Sequence, residues 1–123
     1  MKKDILNRKD IETLVNKFYD KVKKDEVISH YFTKVVKVDW DKHLPVMYRF
    51  WENILFYTGS YSGSPMQKHI AIHAKEPFSI KAFTQWSLLF NETVDELFEG
   101  ENAELIKQRA QNISTIMQLK IFK

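Results

Sequence analysis

Between Arg8 and Lys24, apolar residues fall at Ile11, Leu14, Val15, Phe18, Tyr19 and Val22. Steps of three and four place all six on one face of an α-helix, so a single amphipathic helix is expected over 8–24. Residues 27–32, VISHYF, are too few for a long helix and predict one helical turn. In VDWDKHLPVMYRFWENILFY, the residues Trp40, His43, Met47, Phe50, Trp51 and Ile54 recur at helical spacing, with Asp39 as the expected N-cap. Pro45 sits early in that run, where it either opens the main helix or kinks it.

The stretch TGSYSGSP carries two of the three glycines and reads as a loop. Inside it, Ser64 and Pro65 read as the N-cap and first residue of a short helix carrying His69. AKEPF interrupts that helix, because proline disfavours helical backbone in the residue before it. Ser79 is expected to cap a long helix with Phe83, Trp86, Phe90, Val94 and Phe98 on one face, stopped by Gly100. Ile106, Ala110, Ile113 and Met117 mark a last helix. No strand alternation, repeat or linker interrupts this series. The expectation is one all-α domain spanning residues 1–123, built from about five or six helices. The short His69 segment is its irregular part, and irregular segments often carry sites.

Composition narrows the class. The chain has 123 residues, 44% of them hydrophobic, enough for a core without covalent staples. It has no cysteine, which removes disulfides, thiolate metal ligands and cysteine nucleophiles and fits a reducing compartment. MKKDILNRKD is charged throughout, so a secretory leader is not expected, and no stretch reaches the apolar length of a membrane span. A cytoplasmic protein with no membrane partner is the expectation. Nineteen basic and 16 acidic residues leave a net charge of +3, spread along the chain rather than clustered, so no nucleic-acid partner is expected either. Nine Phe, five Tyr and three Trp are many for this length. They suit a tightly packed core, or a core that also lines a flat apolar ligand.

SPMQKHIAIHAKEPFS places His69 and His73 four residues apart. The pair fits plain surface histidines. It also fits half of a metal site, but no Asp or Glu stands at a matching spacing, and His43 or His30 would have to complete the set. A single histidine also suffices as the axial ligand of a haem iron, since the macrocycle supplies four nitrogens.

FYDKV, FW, GSPMQKH, FTQWSLLFNETVDELFEG and KQRAQNI occur in that order, and together they resemble the group III truncated haemoglobins. The resemblance runs from Ile11 to Met117, and the chain lacks the Gly-Gly pairs of group I and II relatives. It implies a shortened globin, with helices packed two over two around a haem b. It makes His69 the proximal iron ligand and leaves His73 at most a neighbour of the haem edge. On the opposite, distal side it places Tyr19, His43 and Trp86, with Phe18, Phe32, Met47 and Phe50 as apolar walls. Arg49, Lys68 and His73 become candidate partners of the haem propionates. Taken alone, Tyr19 and Trp86 read more readily as ordinary core packing, and His43 as a solvent-facing residue above Pro45.

The implied activity is binding of dioxygen, nitric oxide and carbon monoxide, with an unidentified reductase as partner. Dioxygen on ferrous iron gains negative charge and carbon monoxide scarcely does, so donors such as the Tyr19 hydroxyl and Trp86 indole favour dioxygen. A neutral hydrogen bond contributes about 0.5–1.5 kcal/mol and one to a charged acceptor about 1.5–3, so at about 1.4 kcal/mol per tenfold two donors slow its release by roughly one hundred-fold or more. That suits ligand handling, nitric-oxide dioxygenation or peroxidase-like detoxification better than bulk oxygen transport. The competing readings are a haem-free helical interaction module and a non-haem metal enzyme using His43, His69 and His73.

Overall fold

The computed structural model describes residues 2–31, 40–56 and 79–121. Four helices run through them: α1 (Arg8–Lys24), α2 (Trp40–Phe56), α3 (Ile80–Leu97) and α4 (Glu101–Ile121). There is no strand among the described residues. A helical turn beginning at Ser29 matches the expectation for VISHYF. The short helix expected from Ser64, and the Asp39 cap, lie outside the described residues.

Helix α1 begins where the Asn7 side chain accepts the Asp10 backbone N–H at 3.0 Å. This satisfies one of the donors that a helix start leaves open. Asp10 in the first turn and Lys21, Lys23 and Lys24 in the last complement the helix dipole. The six apolar positions seen in the sequence are all buried. Past the end of α1, the Asp25 carboxylate accepts the N–H groups of Val27 and Ile28 at 2.9 and 3.1 Å and shapes the following turn. Gln85 on α3 donates to the same carboxylate at 2.7 Å.

Pro45 lies inside α2, after its first turn rather than at its start. Ser79 caps α3 as expected, its hydroxyl accepting the Ala82 N–H at 3.1 Å. The end of α3 differs from expectation. Phe98, not Gly100, is the C-cap, with its N–H on the Val94 carbonyl at 2.8 Å. Gly100 adopts φ 143° for a different reason: a Cβ there would lie 2.5 Å from Cγ of Asp4. Asp4 needs that space, because its carboxylate accepts the N–H groups of Asn102 and Ala103 at 2.9 and 2.8 Å. A side chain at the start of the sequence therefore caps α4. Asn102 returns a bond to the Ile5 carbonyl, and Ile5 is fully buried.

Each helix packs on two others: α1 on α2 and α3, and α4 on α2 and α3. One apolar cluster runs through all four, from Leu14, Val15 and Phe18 on α1 to Trp51 and Leu55 on α2, Phe90 and Val94 on α3, and Ile106 and Ala110 on α4. Thr93 is fully buried in this cluster and satisfies its hydroxyl on the Leu89 carbonyl one turn earlier. Lys21 pairs with Glu92 and Glu96, tying α1 to α3 at the surface. No helix among the described residues is long and apolar enough to cross a membrane.

Candidate functional site

Phe18 and Tyr19 are consecutive on α1 and both buried. Tyr19 faces α2: its ring lies 5.2 Å from the His43 imidazole at 79° and 5.3 Å from Trp40. Phe18 faces α3, with ring centroids 5.6 Å from Trp86 and 5.2 Å from Phe90, both edge to face. Trp86 stacks on Phe90 at 5.5 Å with their planes 9° apart, and Phe90 stacks on Trp51 at 4.8 Å. Phe50 completes the series against Trp51 at 5.0 Å. The result is an aromatic wall shared by three helices, with edge-to-face and offset contacts of the kind aromatic quadrupoles favour.

The wall carries a phenol (Tyr19), an imidazole (His43) and the indoles of Trp40, Trp51 and Trp86. Burial raises the Tyr19 phenol well above the ordinary tyrosine range, so it stays a neutral donor. His43 is half-buried, with its Nε2 atom turned out of solvent. Trp86 is half-buried on α3, one residue beyond the Gln85 tie to Asp25.

The distal candidates are thus brought together in pairs: Tyr19 with His43, and Trp86 with Phe18. Phe18 lies against both Tyr19 and Trp86 and links the two pairs. Met47 follows His43 by one helical turn and packs on the core, and Phe50 is buried beyond it. Arg49 is half-buried on the same helix. His69, His73, Lys68 and Phe32 lie outside the described residues. Among the described residues, no three His, Asp or Glu side chains gather as a metal site would require. Sequence reasoning overlooked Trp40 as a pocket residue. Its signal was position alone, three residues before His43 on the same helical face.

No family model matches the chain. Among curated proteins it is similar to the group 3 truncated hemoglobin ctb of Campylobacter jejuni. The two are 31% identical, and the match covers 100% of this chain and 97% of that protein. Among solved structures it is similar to the crystal structure of the group III truncated hemoglobin from Campylobacter jejuni. The TM-score is 0.86 at 32% identity, covering 100% of this chain and 97% of the other. With its four-helix core matching that globin over the full length, the chain belongs to the group III truncated haemoglobin family.

Proposed function

We propose that the chain is a single haem domain that holds haem b through His69 and binds diatomic gases against the Tyr19, His43 and Trp86 face. The observation that carries this reading is the pairing of the buried Tyr19 with His43 inside an aromatic wall. The donor set suits the group. A flat macrocycle wants apolar faces around it and few polar atoms above it, and the wall offers aromatic rings with the Tyr19 phenol, the His43 imidazole and the Trp86 indole among them. Haem iron, when bound, supplies a site for the gas and the electrons that polarise it.

The chain's own residues decide which gas is favoured. A neutral Tyr19 hydroxyl donates to a ligand that gains negative charge and does little for one that does not. The Trp86 indole N–H can only donate, so it acts in the same sense. His43 holds a proton at one ring nitrogen and offers a lone pair at the other, and can either donate or position Tyr19. Phe18, an apolar ring packed against both Tyr19 and Trp86, separates the two donor groups. Arg49 is a half-buried cation on the helix of His43, suited to a propionate; Lys68 and His73 are further candidates. Donors matched to a polarised gas suit ligand handling and nitric-oxide or peroxide chemistry, sustained by a reductase, better than bulk oxygen carriage.

The deciding experiment is an absorption spectrum of the purified chain incubated with hemin, recorded oxidised, reduced and under carbon monoxide. A strong blue absorption band that shifts with reduction and again with carbon monoxide is expected. A colourless chain would return the reading to a haem-free interaction module.

A further inference from the structure

Trp40 lies against Tyr19, His43 and Lys23, and the four side chains form a compact quartet. Tyr19 and Lys23 stand one turn apart on α1, and Trp40 and His43 nearly one turn apart on α2, so each pair shares a helical face. Trp40 lies 5.3 Å from the Tyr19 ring and 5.6 Å from His43, while Tyr19 and His43 lie 5.2 Å from each other. The three rings therefore form a closed triangle. The Lys23 ammonium sits 4.3 Å from the centre of the Trp40 ring, and Lys23 is exposed, so the solvent side of the triangle is at that contact. A cation over an indole face is attracted by the ring's quadrupole.

We infer that Trp40, clasped by Lys23, is a positioning residue that holds the His43 imidazole against Tyr19 on the pocket side of α2. This deepens the haem reading above and rests on it for its consequence, though not for the contact itself. For a half-buried imidazole the alternative to this placement is a rotamer turned outward, away from Tyr19. Trp40 opposes that movement because the outward swing separates His43 from the indole edge and from Tyr19 together. Aromatic pairs of this kind bias a two-position equilibrium by about two- to tenfold each. Lys23 keeps the indole itself from turning away. The pocket's donor geometry then depends on a residue that need not touch the bound gas.

Two readouts on the full-length chain test this. In the hemin-free chain, proton cross-relaxation between the Tyr19 and His43 rings is expected in the native protein and in Trp40→Phe, and is expected to vanish in Trp40→Ala. In the hemin-loaded chain, carbon monoxide is the probe. Trp40→Ala should add a second C–O stretching band at higher frequency and speed carbon monoxide association by about tenfold. Trp40→Phe should restore the native band, and Lys23→Met should show a smaller shift in the same direction.

A lower melting temperature with unchanged cross-relaxation and an unchanged C–O band in Trp40→Ala overturns the inference and leaves only a structural role. Should Trp40→Ala fail to fold, native behaviour of Lys23→Met in both readouts overturns it instead. A native chain that takes up no hemin overturns the haem reading, whereas the cross-relaxation result still decides the role of Trp40.

Discussion

Tyr19 and His43 come from different helices, and their rings meet 5.2 Å apart at 79°. The edge-to-face contact lets the imidazole edge meet the electron-rich face of the phenol, or the reverse, and sets both polar tips within one apolar enclosure. Burial holds Tyr19 neutral, so its hydroxyl is a fixed donor rather than a titrating one in the ordinary pH range.

Removing that donor should separate the two gases. Tyr19→Phe keeps the ring and its contacts with Phe18, Trp40 and His43 but deletes the hydroxyl. A hydrogen bond to a partly charged acceptor contributes about 1.5–3 kcal/mol, so dioxygen release should accelerate by at least tenfold. Carbon monoxide release should change little. Stopped-flow dissociation of both gases from the hemin-loaded chain checks this, and equal acceleration of the two would rule out the hydrogen-bond explanation.

The same phenol predicts the alkaline limit of stability. The unfolded chain ionises tyrosine near pH 10, whereas burial keeps the folded Tyr19 protonated to higher pH. The folded state therefore holds the extra proton above that pH. The Tyr19 contribution to stability is whole below about pH 10 and is lost as pH rises further. Denaturant midpoints measured through the alkaline range should fall less steeply in Tyr19→Phe than in the native chain.

At the acid end, two contributing groups are Asp4 and Asp10. Burial pushes each carboxyl up, but other contacts outweigh it. For Asp4 these are the N–H groups of Asn102, Ile5 and Ala103 and the charge of Lys3; for Asp10, the Lys3 ammonium and the backbone N–H groups of Leu6 and Asn7. Both end below the usual carboxylate range. Their stabilisation is complete above the unfolded value near pH 4 and disappears as pH falls through the lower folded values. Asp4→Asn keeps one acceptor oxygen and sets an NH2 donor against the other N–H, so it should cost about 1 kcal/mol at neutral pH and should flatten the acid limb of the stability curve. Chemical denaturation from pH 7 down to 2 gives both quantities.

Gly100→Ala strikes the same junction from the other side. A φ of 143° is rarely adopted by residues with a Cβ, and that atom would lie 2.5 Å from Cγ of Asp4. Backbone strain of this kind costs roughly 1–3 kcal/mol, and displacement of the Asp4 cap adds to it. Asp4 Cβ also lies 2.8 Å from the added atom, so Asp4→Gly is the partner variant: partial relief of the Gly100→Ala defect in that double-mutant cycle makes the clash the cause, and full additivity points to backbone strain alone.

How much of this was legible beforehand follows from the range of each interaction. Helix α1, with its six buried apolar residues, and the Ser79 cap were readable because periodicity and capping act within a few residues. Gly100 was misjudged as a helix stop because its conformation answers to Asp4, far away in sequence. Ile5 escaped notice as a core residue because a lone apolar side chain in a charged segment has no period to reveal it. In the site, Tyr19, His43 and Trp86 were named from the family resemblance. Their order along the wall, with Phe18 between Tyr19 and Trp86 and Trp40 outside, required the crossing of α1 over α2 and α3.

The two histidines of PMQKHIAIH give the sharpest test of the proposed ligation. One imidazole suffices to complete haem ligation on the proximal side, so only one of the pair should be indispensable. His69→Ala is expected to lose stable hemin binding, and His73→Ala to keep it with at most a small change in affinity. Hemin titration followed by transfer to an apo-globin acceptor measures both. Imidazole added to His69→Ala should restore a native-like spectrum by filling the vacated position, which separates lost ligation from lost folding. Retention by His69→Ala with loss in His73→Ala would move the ligand one turn along and redraw the propionate assignments with it.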